Sequence, residues 1–368
     1  FAPVPHPGRG RPSMSAVGTV STGGPSGVVR GGNHPPVVAL VGPTASGKSR
    51  IAVDIARASM GGPFPVELVS VDSMAVYRGM DVGTAKPGVE VRAEVAVHVV
   101  DVVDPDEEFT VQQFQSEAGR ALEGISSRRH AALLVGGTGL YLRSVVDRLT
   151  FPGRYPAVAA ELAASVEAAG PEGSRDRDAV LVALHDRLGR LDPVAARRVA
   201  PSNCRRLLRA LEVTVGSGRP FSSFGPGLER YPPTPVPMIG IASDPVTLDR
   251  RIAERFGRMM ADGLLDEVEA LATRPGGLSR TARQALGYRE LLAHLDGALS
   301  LEEAVGLAVQ RTKAFARRQL AWFRRDPRIV WLSPDDDPVR SILARLGWTR
   351  STVGWMGNWT EHDESASA

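Results

Sequence analysis

The chain has 368 residues, of which 43% are hydrophobic and 23% are charged, and its formal net charge is +3. This composition is typical of a folded globular protein and excludes a largely disordered chain. The chain has no long apolar run, no signal peptide and only one cysteine, Cys204, so we predict a cytoplasmic protein without disulfides that enters no membrane.

The first half of the chain alternates predicted strands with predicted helices. Residues 1–34 are rich in Gly, Pro and Ser, which predicts a disordered leader. Short apolar runs predict strands at 37–41, 66–71, 98–103 and 131–135. Apolar spacing predicts helices at 49–59, from Thr110 to about Ser126, and from a glycine-rich segment after residue 135 to about Asp147. Alternating strands and helices are typical of a parallel sheet.

The second half is mainly helical. Beyond Phe151-Pro152-Gly153, four helices are predicted at 156–169, 178–190, 193–199 and 203–216, with no strand between them. A strand at 238–242 follows a proline-rich stretch, and the remainder is predicted to be helical to about Arg325, with a final strand at 329–332.

The segment GPTASGKS, Gly42 to Ser49, matches the phosphate-binding P-loop and lies between a predicted strand and a predicted helix, as that motif requires. Its backbone N–H groups converge on phosphate oxygens at a helix N-terminus, while Lys48 adds positive charge and the Ser49 hydroxyl can bind Mg²⁺. Only three of the 44 basic residues are lysines, so Lys48 stands where a compact charge is needed.

These elements predict an α/β fold, a P-loop NTPase-like parallel sheet flanked by helices with an inserted all-helical domain. The predicted core comprises residues 35–152 and 226–348. The predicted insertion covers 153–225, and a flexible tail covers 349–368.

Polar residues follow two of the predicted strands. Asp72 ends the strand at 66–71, and Thr138 follows the strand at 131–135, which ends in Gly-Gly-Thr without the carboxylate that a phosphoryl-transfer enzyme uses to hold Mg²⁺. The loop could therefore bind a pyrophosphate without ATP hydrolysis, and the sequence leaves open whether ATP binds. Because ligands of parallel sheets bind at the carboxyl ends of the strands, we expect Asp72 and Thr138 at the site, although Asp72 could also be only a helix cap.

Six segments in order resemble the tRNA dimethylallyltransferase family over about residues 37–332. They are GPTASGKS, DSMAVYRGMDVGTAKP, GGTGLY, RRLLRALEV, RQALGYRE and RRQLAWFRRDPRIVWL. The resemblance implies transfer of a dimethylallyl group from its pyrophosphate to the exocyclic amine of the adenosine just 3′ of the anticodon. By similarity, Asp72 is the candidate base, Thr138 lies near the departing oxygen, and Lys48 with Arg255 and Mg²⁺ on Ser49 stabilises the pyrophosphate. The implied anion-binding residues are Gly42, Pro43, Thr44, Ala45, Ser46, Gly47, Lys48, Ser49 and Arg255.

The same resemblance implies a tRNA surface, with the anticodon stem-loop and dimethylallyl pyrophosphate as partners and with the protein a monomer that needs no obligate protein partner. The target adenine must leave its stack, which costs a few kcal/mol. The predicted tRNA-contacting residues are Asp72, Ser73, Met74, Ala75, Thr138, Arg205, Arg206, Arg209, Gln284, Gly287, Tyr288, Arg289, Lys313 and Arg317. A row of basic residues from Arg311 to Arg328 is typical of phosphate binding, but also of a solvated helix face.

The chain departs from the family's usual residues at several positions: Ala75, Ala96, Val97, Ala159 and the segment Ser202-Asn203-Cys204. Most of these departures fall on expected RNA-contacting or packing positions, so they bear on adenine placement. Three alternatives remain at this point. They are a P-loop kinase for a small molecule, a prenyltransferase acting on free adenine nucleotides, and a noncatalytic RNA-binding protein.

Overall fold

A computed structural model describes residues 35–225, 227–333 and 336–346. The predicted leader, 1–34, and the predicted tail, 349–368, lie outside the described residues.

The strands form one sheet in which every neighbouring pair is parallel. In the described part of the chain they are β1 (Val37–Val41), β2 (Val66–Val71), β3 (Val97–His98), β4 (Ala131–Gly136), β5 (Met238–Ile241) and β6 (Ile329–Leu332). Their order across the sheet is β3-β2-β4-β1-β5-β6. The predicted parallel sheet is confirmed, and so is its final strand, β6.

Helices cover both faces of the sheet. Those of the first half are α1 (Lys48–Ala58), α2 (Val89–Glu94), α3 (Val111–Ser127) and α4 (Gly139–Val146). Those after β5 are α9 (Pro245–Ala261), α10 (Leu264–Ala272), α11 (Tyr288–Leu295), α12 (Leu301–Arg324) and α13 (Pro338–Arg345).

Successive side chains of β1 lie in two different apolar cores. Ala39 and Val41 belong to the larger core, which includes residues of α3, α4 and α9–α12. Val38 and Leu40 belong to the second core, with residues of α1 and α13. Successive side chains of a strand point to opposite faces, so a strand buried on both faces is apolar throughout.

Four further helices lie between β4 and β5: α5 (Pro156–Ala168), α6 (Arg175–Leu191), α7 (Pro193–Arg198) and α8 (Cys204–Ser217). They share an apolar cluster of their own, which includes Leu162, Leu188 and Leu211. The predicted limits of the inserted domain, 153 and 225, stay a prediction.

Two predicted elements differ in the structure. The strand expected over 98–103 ends at His98, because Val99 and Asp101 take positive φ angles of 61° and 53°, which interrupt an extended backbone. The helical segment expected to run on past residue 261 divides into α9 and α10 at Gly263, whose φ is 92°. No helix among the described residues is both long and apolar enough to cross a membrane.

Candidate active site

The phosphate-binding loop connects β1 to α1 at the carboxyl edge of the sheet. The Lys48 ammonium donates back across the loop to the Pro43 carbonyl at 2.8 Å. Arg255, on α9, reaches the same loop from the other side and donates to the Thr44 hydroxyl at 3.3 Å. The Ser46 hydroxyl is buried and has no partner among the described residues. The loop therefore presents two cations, an unpaired hydroxyl and a helix N-terminus, a combination suited to an anion.

Lys48 is held in a nearly closed environment. Burial lowers the pKa of its ammonium to about 8, with Asp72 opposing the change and Arg255 adding to it. Burial likewise lowers the pKa of the Arg255 guanidinium, again opposed by Asp72. The charges of Lys48, Arg255 and Asp72 therefore act on one another within a single site.

Asp72 and Thr138 follow the neighbouring strands β2 and β4. The Oδ1 atom of Asp72 accepts from the backbone N–H groups of Met74 at 2.8 Å and Ala75 at 3.3 Å. The Thr138 Oγ1 accepts from the N–H of Ser73 at 3.3 Å. These bonds fix both side chains, and Oδ2 of Asp72 accepts no hydrogen bond from the described residues.

The DVGTAKP segment forms a clamped loop beside the site. The Glu267 carboxylate, on α10, accepts from three successive N–H groups, those of Asp81, Val82 and Gly83. The Lys86 ammonium, whose side chain is 1% exposed, pairs with Asp81 at 2.7 Å and with Asp101 at 2.6 Å. Neither partner carboxylate, Glu267 or Asp101, was predicted from sequence to support the site.

One cavity of about 1600 Å³ brings these segments together. Of the residues predicted from sequence, the lining includes Thr44, Ala45, Ser46, Gly47, Lys48, Ser49, Asp72, Ser73, Met74, Ala75, Thr138, Arg255, Gln284 and Arg289. Gly42 and Pro43 are buried at the start of the loop. Six arginines that were not among the predicted site residues also line the cavity: Arg50, Arg92, Arg251, Arg258, Arg311 and Arg318. Arg311 and Arg318 belong to the basic row that the sequence associated with phosphate binding. Typical small-molecule pockets measure about 300 to 1000 Å³, so this cavity has room for two substrates.

Three predicted tRNA-contacting residues lie outside the cavity lining, on the inserted helices. Arg205 and Arg206 are exposed on α8 of the inserted helices. Arg209 is half-buried there, and its guanidinium pairs with Glu212 and donates to the carbonyls of Pro152 and Gly153.

The remaining predicted tRNA contacts are on α11 and α12 or at their ends. Gly287 and Tyr288 are buried, and the Tyr288 hydroxyl donates to Glu267 behind the cavity wall. Lys313 is half-buried on α12, and Arg317 pairs with Asp249 at 2.8 Å. Contact of all these residues with tRNA stays a prediction.

Gln319, on α12, also lines the cavity and was missed in the sequence. It shares one buried stripe of the helix with Ala308, Ala316 and Phe323. A polar residue within such a stripe must find partners inside the protein, and that is the signal by which the sequence could have revealed it.

The oxygen donors of the site fit Mg²⁺ bound through a phosphate. No group of three or more His, Cys, Asp or Glu side chains able to hold a metal occurs in the described ranges. Mg²⁺ usually takes one or two protein oxygens and completes its shell with water and substrate phosphates. The exposed Ser49 hydroxyl in the first turn of α1 and the Asp72 carboxylate across the cavity are donors of this kind.

Comparison with known proteins gives consistent matches. The family model described as IPP transferase matches residues 75–326. A tRNA dimethylallyltransferase of Desulforudis audaxviator is 44% identical over 321 residues, which cover 87% of this chain and 97% of the relative. The tRNA dimethylallyltransferase of Acidothermus cellulolyticus is 45% identical over 322 residues, 87% of this chain and 94% of the relative.

Solved structures agree. The full-length tRNA isopentenylpyrophosphate transferase of Bacillus halodurans is 34% identical with a TM-score of 0.58, over 85% of this chain and 97% of that one. A eukaryotic dimethylallyltransferase acting on tRNA has a TM-score of 0.64 at 23% identity, over 84% of this chain and 78% of that one, a likeness that concerns the fold alone.

Proposed function

Because the chain belongs to the tRNA dimethylallyltransferase (IPP transferase) family, as its motifs predict, we propose that it transfers the dimethylallyl group of dimethylallyl pyrophosphate to N6 of the adenosine 3′-adjacent to the anticodon. The chain is a transferase enzyme by this membership. The observation that supports this specific reaction is that the phosphate-binding loop, Asp72 and Thr138 line the same cavity.

The loop side of the cavity binds the leaving group in this proposal. Negative charge builds on the pyrophosphate as the carbon–oxygen bond breaks, and fixed positive groups stabilise that charge without reorganising. Lys48, Arg255 and the N-terminus of α1 surround the place where it forms. The unpaired Ser46 hydroxyl gains a partner when a phosphate oxygen occupies the loop.

Asp72 acts as the general base in this proposal. Its Oδ1 is held by two backbone N–H groups, so Oδ2 is available to take the proton that the adenine amine loses on attack. A positioned base typically contributes about 10²- to 10⁴-fold to rate. The Thr138 hydroxyl accepts from Ser73 and can donate its own hydrogen to the oxygen that departs with the pyrophosphate.

Mg²⁺ is the proposed cofactor, with Ser49 as its protein ligand. Bound beside the pyrophosphate, it would supply further positive charge against the leaving group.

We propose that the tRNA binds at the cavity mouth, because this surface is positively charged. Arg251, Arg258, Arg289 and Arg318 are exposed residues that line it, and arginine binds phosphate through a planar fork. Their contacts with the anticodon stem-loop would offset the few kcal/mol needed to extrude the adenine.

The test is to incubate the purified protein with radiolabelled dimethylallyl pyrophosphate and tRNA, AMP or no acceptor. We expect label on tRNA alone, at the adenosine 3′ of the anticodon. A matched tRNA with guanosine at that position should stay unlabelled. Label on AMP would instead support a free-nucleotide prenyltransferase, and ATP turnover without label transfer would support a kinase. Tight tRNA binding without any transfer would indicate a noncatalytic RNA-binding protein.

A further inference from the structure

Gln319 joins two active-site segments that are far apart in sequence. Its side chain is buried, with 8% of the residue exposed. The Oε1 atom accepts from the N–H of Thr44 in the phosphate-binding loop at 2.8 Å, and Nε2 donates to the carbonyl of Gly137 at 2.9 Å. Because a backbone N–H only donates and a carbonyl only accepts, these two bonds fix the orientation of the amide.

The two hydrogen bonds of Gln319, to Thr44 and Gly137, form a bridge that continues to the proposed base, Asp72. Gly137 precedes Thr138, the Thr138 Oγ1 accepts from the N–H of Ser73 at 3.3 Å, and Ser73 follows Asp72. Hydrogen bonds and short stretches of backbone therefore lead from the phosphate-binding loop through Gln319 to Asp72.

Close packing leaves this bridge little freedom. A Cβ on Gly137 would lie 2.3 Å from Nε2 of Gln319, and a Cβ on Gly139 would lie 2.0 Å from Nε1 of Trp322. Helix α12 therefore approaches the turn after β4 at a distance that only glycine permits, and it makes that approach with Gln319 and Trp322.

We propose that Gln319 is a positioning residue of the transfer reaction, which holds the phosphate-binding loop and the turn carrying Thr138 at a fixed separation. The inference rests on the proposed function, because the separation matters only if the leaving group binds in the loop and Asp72 is the base. Misplacement of reacting groups by about 1 Å can cost about 10²-fold in rate. Gln319 contributes through this geometry and takes no part in bond making.

The first test replaces Gln319 with Met, which keeps the length and removes both hydrogen bonds. The matched control is Gln115→Met. The Gln115 amide likewise makes two hydrogen bonds to the backbone, donating to the carbonyls of Ser144 and Leu149, but it lies outside the cavity lining. We expect kcat of Gln319→Met to fall by about 10²-fold with the KM for tRNA unchanged. Its affinity for pyrophosphate, measured by calorimetry, should fall by about tenfold, and the control should keep both values.

The second test uses Gln319→Glu. A protonated carboxyl can accept from Thr44 and donate to Gly137 as the amide does, whereas a carboxylate oxygen would face the Gly137 carbonyl. The ratio of kcat of this variant to wild type should therefore rise as pH falls from about 8 to about 6, since burial raises a carboxyl pKa. The Gln319→Met ratio should stay flat.

The outcomes separate the two proposals. If the wild-type protein transfers no label to tRNA, the proposed function fails, and the bridge is then judged on pyrophosphate affinity. If Gln319→Met keeps wild-type kcat and affinity, or loses no more than Gln115→Met, the inference is overturned. If Gln319→Met does not fold, a Gln319→Glu ratio that is independent of pH overturns it.

Discussion

Lys48 meets two opposing demands: it is almost enclosed by protein, yet it must be charged to bind an anion. Burial, opposed by the charge of Asp72 and assisted by that of Arg255, lowers the pKa of its ammonium to about 8. The free protein therefore holds a lysine that loses its charge as pH rises through about 8. An anion placed beside it would favour the charged form, so binding and protonation are linked.

This linkage predicts a pH dependence of pyrophosphate binding. Between pH 8 and pH 9 we expect affinity to fall by about fivefold, because the charged fraction of a lysine with a pKa of about 8 falls from about one half to about one tenth. Calorimetry in buffers of different ionisation enthalpy, without Mg²⁺, should also show proton uptake near pH 8. Lys48→Arg is the control, since arginine stays charged over this range. Equal slopes for the two proteins would contradict the role of the lysine.

Asp72 can be tested without disturbing the loop that holds it. Asn at this position keeps an Oδ1 able to accept from the N–H groups of Met74 and Ala75, but it cannot take a proton. We expect Asp72→Asn to lower kcat by about 10²- to 10⁴-fold, with tRNA affinity nearly unchanged.

The matched control for Asp72 is Asp192→Asn. The Asp192 carboxylate also accepts from two backbone N–H groups, those of Ala195 and Ser222, but lies among the inserted helices. Single-turnover transfer should be close to wild type for the control. A near-normal rate for Asp72→Asn would show that Asp72 only shapes its loop.

At the scale of elements, helix α8 separates arginines with different surroundings. Arg205 is exposed, whereas Arg209 is half-buried and bonded to Glu212 and to the carbonyls of Pro152 and Gly153. We expect Arg205→Ala to weaken tRNA binding and to reduce the slope of log affinity against log salt by about 1. Arg120→Ala on α3, also an exposed arginine, is the control. Filter binding at four salt concentrations measures this slope. An unchanged slope for Arg205→Ala would show that Arg205 does not contact the tRNA.

The long elements were predictable because their apolar periodicity is local. Strands β1, β2, β4 and β5 and helix α3, with its Thr110 cap, agree with prediction to within one or two residues. Helix α2 was not predicted, and none of its residues is buried, so it has no apolar stripe to recognise.

The shortened strand β3 has a tertiary cause. Asp101 takes a positive φ where its carboxylate pairs with Lys86 at 2.6 Å and with Arg92 at 2.6 Å. These partners lie 15 and 9 residues before Asp101 in the chain, outside the segment 98–103, and the residues of that segment carry no sign of them. Propensity therefore predicted an extended segment where ion pairs hold a turn.

At the scale of the molecule, the topology decides which parts of the site a sequence can reveal. The phosphate-binding loop, Asp72 and Thr138 follow β1, β2 and β4, and carboxyl ends of parallel strands share one edge, so their meeting was predictable. Gln319 is 275 residues from Thr44, and its contact depends on how α12 packs across that edge. No local pattern fixes that packing.

The opposite end of β2 holds a charge cluster that concerns stability. Glu67 is near the start of the strand, and its side chain, 7% exposed, contacts Arg128 at 2.8 Å, His130 at 2.6 Å and His98 at 2.5 Å. Burial alone would raise the pKa of this carboxyl, but hydrogen bonds from Arg128, His98 and His130 outweigh it and lower the pKa to about 2. One carboxylate thus ties together β2, β3 and the chain between α3 and β4.

A depressed carboxyl pKa stabilises the fold above the unfolded value of 4.5, and that stabilisation is lost as pH falls toward about 2. We therefore expect Glu67→Gln to lower the free energy of unfolding by about 1 to 3 kcal/mol at pH 6, because it removes the negative charge that Arg128, His98 and His130 contact. The gap from wild type should close between about pH 4.5 and pH 2. Urea unfolding across this range measures it, with Glu117→Gln, whose partner Arg120 is exposed, as the control. A gap that is constant with pH would mean that the charge of Glu67 contributes nothing, and that only its shape matters to the sheet.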